Sequence, residues 1–335
     1  MKKIFFALCL LFAFTLNAQQ RLLTKKIVYT VQLTDNKVQS SVKQDSVVYD
    51  YKVNKRFFWE AMDGLISDLK KKKAVLYSFR GDTLVWDTVM KNLTKSLTEF
   101  DLKKYSAKDV QNVLENEIRA IRFEEEWTYD EKTMLINKQV NAFCPVIQRD
   151  SVTLAGDELQ AVTAFAFELG WIRADKNSKI SKDTLLISRN LHYTMPIYNT
   201  TPYRWWDSNL EAEYSVPFFD RLLTKTSSKE IASYESPDAD QPYTAAELEK
   251  RRKHTMSTTI VNTLPDNNVT ESDTVISLTY STEDIDNLRF GEEIYYDRQN
   301  NMFFKHTNYL APVVRVYGSD GQFHGFYPLF YIRKD

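Results

Sequence analysis

Apolar side chains recur along this chain in two rhythms. In FFWEAMDGLISDLKKKK, Phe58, Met62, Leu65, Ile66 and Leu69 fall three and four residues apart, which places them on one stripe of a helix. The lysine run 70–73 suits the C-terminal end of that helix as a solvated terminus, with a phosphate-binding patch as the alternative. Ser106 with Asp109 forms a capping-box pattern ahead of Val110, Val113 and Leu114, and Thr244 with Glu247 does the same before LEKRR. Elsewhere the period drops to two. FEEEWTY and MLINKQVNAF read as strands joined by a DEKT turn, with Pro145 expected to end the second strand. LQAVTAFAFELGWIR, VVRVYG and FHGFYPLFYIR supply further strands.

The hairpin occurs twice. RFEEEWTYDEKTMLINKQVNAFCPV (122–146) aligns without a gap to RFGEEIYYDRQNNMFFKHTNYLAPV (289–313), and ten of the 25 positions are identical. Chance at ordinary residue frequencies gives about one or two. The shared residues are Arg122/Arg289, Phe123/Phe290, Glu125/Glu292, Glu126/Glu293, Tyr129/Tyr296, Asp130/Asp297, Lys138/Lys305, Asn141/Asn308, Pro145/Pro312 and Val146/Val313. Flanking blocks keep the same order: LISDLKKKKAVLYS with LLTKTSSKEIASYE, SAKDV with STEDI, and WIRAD with YIRKD. The pattern predicts an α+β fold of two similar modules, each with helices followed by a small antiparallel sheet built around the hairpin. Module one covers 46–175 and module two 212–335, with 176–211 as the connection, 19–45 as an N-terminal segment and 235–280 as a partly ordered insertion.

Composition narrows the function classes. Lys+Arg is 44 and Asp+Glu is 45, so there is no general electrostatic bias toward nucleic acid or an anionic membrane. MKK followed by IFFALCLLFAF and LNA reads as a signal peptide cleaved after Ala18, and no later stretch is apolar for long enough to span a bilayer. Cys9 falls inside the signal, so Cys144 is the single cysteine of the mature chain, read as a small buried residue. The expected mature protein is exported and soluble.

No metal or cofactor motif appears. His192, His254, His306 and His324 lack metal-ligand spacing, and GxSxG, Walker A and GxGxxG patterns are missing from the sequence. Two acidic clusters, Glu125-Glu126 with Asp130 and Glu292-Glu293 with Asp297, suggest carboxylate chemistry. Adjacent strand residues point to opposite faces, however, so the expectation is a half-exposed edge with one Glu paired to Arg or Lys. Trp205-Trp206 can stack on a sugar, anchor an interface or pack internally. Arg122, Phe123, Tyr129, Asp130, Pro145, Arg289, Phe290, Tyr296, Asp297 and Pro312 form a structural or interface motif. Six Asp-Ser/Thr-aliphatic triplets begin at Asp45, Asp82, Asp87, Asp150, Asp183 and Asp273; they resemble O-glycosylation sites of exported Bacteroidota proteins and are also ordinary strand openings.

The helix FFWEAMDGLI, SAKDV, the hairpin ending in Pro-Val and VPFFDRLL together resemble the GldN/PorN family of gliding-motility and type IX secretion proteins, over most of 50–235. The chain departs from the family pattern after FDRLL, where a second hairpin module replaces a helical tail, as in a divergent paralogue. The resemblance implies a non-enzymatic periplasmic ring component without cofactors. Its partners would be a GldK/PorK-like outer-membrane lipoprotein and a GldM/PorM-like motor protein. An alternative is a periplasmic carbohydrate-binding or glycan-processing protein that uses Trp205-Trp206 or the Glu125-Glu126 pair.

Overall fold

Two antiparallel sheets carry the architecture of the computed structural model, which describes residues 20–33, 51–155, 158–175, 178–197, 210–263, 269–317 and 322–334. The expected signal segment 1–18 and Trp205-Trp206 lie outside the described residues. The first sheet runs in the order β1 (Gln20–Gln32), β5 (Ile118–Asp130), β6 (Ile136–Ala155), β7 (Glu158–Glu168), with the short β8 (Ile172–Arg173) also on β6. The second runs β14 (Phe323–Pro328), β13 (Met302–Tyr317), β12 (Ile285–Asp297), β9 (Thr184–Pro196), β2 (Tyr51–Val53), with β15 (Ile332–Arg333) also on β13. Small ladders join β3 (Leu76–Tyr77) to β4 (Thr83–Leu84) and β10 (Lys253–Thr263) to β11 (Val269–Thr279).

The sheets use one pairing scheme. Tyr29 opposes Phe123 as Tyr193 opposes Phe290, and Ile27 opposes Glu125 as Leu191 opposes Glu292. Each hairpin bulges at its shared asparagine. Glu124 faces Ala142 and Glu125 faces Val140, which skips Asn141; Gly291 faces Tyr309 and Glu292 faces Thr307, which skips Asn308. The turns match as well. Asp130 Oδ1 accepts from the backbone of Lys132 and Thr133, and Asp297 Oδ1 from Gln299 and Asn300. Met134 and Asn301 both close their turns at positive φ, 57° and 49°.

The expected order of helices followed by a sheet does not hold. β1 and β9 open the two sheets ahead of the helices and were not legible, since register shifts in β1 and β9 break their apolar alternation. Pro145 and Pro312 do not end strands either; β6 and β13 continue past them. The Pro145 carbonyl accepts from Leu169 N (3.1 Å) and that of Pro312 from Leu329 N (2.9 Å). Each proline therefore lies at the seam between two neighbours, β8 and β7 or β15 and β14, where its missing N–H leaves no gap in a ladder.

Helices cross between the sheets. α1 (Lys55–Lys70) is capped by Asn54, buries Phe58, Ala61, Met62, Leu65, Ile66 and Leu69, and packs on β9 of the second sheet. α2 (Trp86–Asp101) buries Val89, Leu93 and Leu97 at four-residue spacing. α3 (Ala107–Asn116) starts at the Ser106–Asp109 capping box, and the matching Ser281–Asp284 box starts only a 3-10 turn. α4 (Ala212–Ser227) buries Phe218, Phe219, Leu222 and Leu223 and packs on β1 of the first sheet. α5 (Ala245–Arg252) begins at the Thr244–Glu247 box. The hairpin tips hold the crossing helices: Glu131 pairs with Arg221 of α4, and Arg298 with Glu60 of α1. One apolar core therefore runs through both sheets and the helices α1 to α5. No described helix is long and apolar enough to cross a membrane.

Candidate functional site

Strand parity places charge inside the molecule. Along β5, Phe123, Glu125, Trp127 and Tyr129 are buried while Glu124, Glu126 and Thr128 are not. Along β6, Ile136, Lys138 and Val140 are buried while Asn137 and Gln139 are exposed. Glu125 and Lys138 thus occupy inward positions, and their counterparts Glu292 and Lys305 do the same in the second hairpin. All four side chains have no solvent exposure. This corrects the expectation of a half-exposed edge. β5 has β1 as an outer neighbour, so Glu125 lies within the sheet, and only Glu126 and Glu293 stay half-buried.

The ion pairs are exchanged between hairpins. Lys138 Nζ lies 2.5 Å from Glu292 Oε1, and Lys305 Nζ lies 2.8 Å from Glu125 Oε1. Tyrosines from the opening strands complete the cluster. Tyr29 donates to Glu125 Oε2 (2.6 Å) and accepts from Lys305 (2.9 Å). Tyr193 donates to Glu292 Oε2 (2.7 Å) and accepts from Lys138 (2.9 Å). The two phenol oxygens are 3.2 Å apart. Trp127 Nε1 adds a donor to Glu125 Oε2 at 2.7 Å. Each ammonium also lies over an aromatic ring of the other hairpin, Lys138 over Phe290 (3.2 Å) and Lys305 over Phe123 (3.4 Å).

Two carboxylates and two ammonium groups cancel, which is the condition for keeping ions in a dry interior. Burial alone would raise the Glu125 carboxyl, but Lys305 and then Lys138 outweigh it and hold it below its ordinary value. Burial pushes the Lys138 ammonium down to about 8, against the pull of Glu292 and Glu125. Burial, then Glu125, drives the Tyr29 hydroxyl well upward, and burial, then Glu292, does so for Tyr193. Both phenols therefore stay protonated as donors.

The other motif residues serve packing and turns. Arg122 is buried and pairs with Glu168 (2.9 Å), whereas Arg289 donates to Thr194 (3.0 Å) and Tyr331 (3.1 Å). Tyr129 stacks edge-on with Phe218 of α4 at 4.9 Å. Tyr296 donates to Asn301 Oδ1 (2.7 Å) and meets Phe143 edge-on. Asp297 is buried and also accepts from Ser181 N (2.7 Å) and Ser181 Oγ (2.6 Å). Glu125 and Glu126 point to opposite faces, so they do not form the facing acid pair of glycoside hydrolysis. Cys144 is buried, and burial pushes its thiol up. Among the described residues, no group of three or more His, Cys, Asp and Glu side chains is placed to hold a metal ion.

The buried cluster was missed at the sequence level, although its signal was present: Glu and Lys kept twice at inward parity. What parity cannot show is that each Glu finds the Lys of the other hairpin. No protein-family model, curated protein or solved structure matches the chain.

Proposed function

We propose that the chain is a periplasmic structural component of the type IX secretion and gliding-motility machinery, built from a duplicated hairpin module. The observation that carries this reading is where the duplicated residues go. Glu125, Lys138, Glu292 and Lys305 tie one hairpin to the other, and the shared aspartates and prolines shape turns and seams. Residues placed this way tie the two hairpins into one doubled scaffold. A scaffold of this kind presents two related faces to neighbours, which suits an assembly part exported by an N-terminal signal. The matching pairing register of the two sheets supports a duplication broader than 46–175 and 212–335, with β1 and β9 as the opening strands of the two units. The resemblance of FFWEAMDGLI, SAKDV and the Pro-Val hairpin to the GldN/PorN family supplies the machinery and its partners.

In-cell crosslinking followed by affinity capture and mass spectrometry tests the proposal. Recovery of a GldK/PorK-like lipoprotein and a GldM/PorM-like motor protein is the expected result. Recovery of the chain alone, in cells that express both, would overturn it.

A further inference from the structure

The two halves differ where β8 and β15 return to their hairpins. In the second half the site is closed by the chain itself. Arg333 donates to the carbonyl of Pro237 (2.7 Å) and lies over the Tyr234 ring, and Tyr331 OH accepts from Arg289. Ladder contacts at the matching place in the first half are the same: Ala174 N donates to the Asn141 carbonyl and Lys334 N to that of Asn308, both at 2.9 Å. Tyr77 bridges Trp171 as Tyr234 bridges Tyr331. The donors, however, are left over. Arg173 stacks on Tyr77 (4.4 Å) but has no hydrogen bond or ion pair among the described residues. Trp171 is buried, and its Nε1–H has no acceptor among them. Arg80 is exposed and likewise without a partner among them.

These groups line one open groove of about 320 Å³, together with Lys26, Phe79 and Asn141. Its one acid, Glu124, is held by Lys26 at 2.7 Å, so the two guanidinium groups are uncompensated. Asn141 Oδ1 is also buried there without a donor among the described residues. An indole N–H and two free guanidinium groups beside an exposed aromatic ring make a receptor for a carboxylate. In the second half the matching arginine, Arg333, holds a peptide segment by its backbone, through the carbonyl of Pro237 in SPDAD (236–240), while the unpaired charge of Arg80 and Arg173 adds the preference for acidic side chains.

We propose that the groove between Arg80, Trp171 and Arg173 binds a carboxylate-bearing, acidic peptide segment of a partner protein.

The test is a titration of the purified full chain with the peptide acetyl-SPDAD, with acetyl-SPNAN-amide as the uncharged control. The readouts are calorimetry and the indole N–H resonance of Trp171, assigned with Trp171→Phe. Saturable binding of the acidic peptide alone is expected, with a shift of the Trp171 resonance. Arg173→Gln and Arg80→Gln should each weaken it by about tenfold, the worth of one charge-assisted hydrogen bond. Both positions are exposed, so the fold should survive, which the remaining indole resonances would verify. Equal binding of the two peptides, no binding at millimolar peptide, or binding unchanged in both arginine variants would overturn the proposal. Inorganic phosphate and glucuronate serve as further probes. Saturation by either without the peptide would also overturn it and would mark a small-anion site instead.

Discussion

Lys305 of the second hairpin sits 2.8 Å from Glu125 of the first, with both side chains closed off from solvent. Lys138 and Glu292 repeat the relationship in the opposite sense at 2.5 Å. An ion pair exchanged in both directions gives each half a charge whose hydrogen-bonded ion partner lies in the other half. Leaving such a charge unpaired in the interior is far more costly than the pair is favourable.

Gly291 provides a steric prediction. A Cβ at this position would meet the Tyr309 ring at 2.0 Å, a distance at which backbone or ring must move. In the first half the same pair is Glu124 opposite Ala142, so the large and small partners are exchanged across the strands. Gly291→Ala should cost about 1–3 kcal/mol by overpacking, and the same change made in a Tyr309→Ala background should cost less. Urea unfolding of the two single variants and the double variant measures both.

The paired turns give a graded prediction. Asp130 stabilises its turn through two backbone N–H groups, and Asp297 does so while also holding Ser181 from within a buried site. Asp297→Ala should therefore cost more than Asp130→Ala, about 2–3 against about 1 kcal/mol, because it also removes the two hydrogen bonds from half-buried Ser181. Thermal unfolding of both variants at one pH ranks them.

Much of this fold is legible in the chain. The helix stripe ending at Leu69, both capping boxes and both hairpins follow from spacing, because one buried face sets a clear period. α2 and the strands β1 and β9 were not legible. Bulges at Leu22 to Ile27 displace the alternation in β1, and α2 carries a sparse stripe of three buried residues. Within the buried cluster, parity placed Glu125 and Lys138 inward, but the partner of Glu125, Lys305, lies 180 positions on and that of Lys138, Glu292, lies 154 positions on. A cross-pairing between two sheets leaves no local trace in either.

The cluster also has a titration signature. The Lys138 ammonium, held near 8, should lose its proton well before the exposed lysines do. Its folded value lies below its unfolded one of about 10.4, so between those values the unfolded chain binds more protons. The contribution of this group to stability should therefore rise with pH across that window. Glu125 behaves in the opposite quarter. Its depressed value gives stability that is present above the unfolded carboxyl value of about 4.3 and lost as pH falls through the folded one. Side-chain NMR of Lys138, and acid unfolding of Glu125→Gln against the native chain, check the two limbs.

The exchanged ion pairs are tested most directly by a double-mutant cycle at Glu125 and Lys305, using Glu125→Gln, Lys305→Met and their combination in urea unfolding. Each single change should cost about 3–5 kcal/mol by orphaning a buried charge. The double variant should cost little more than one single change, a coupling of at least about 2 kcal/mol. Additive losses, or single changes that cost under about 1 kcal/mol, would contradict the account in which the two hairpins are locked together by the charges they exchange.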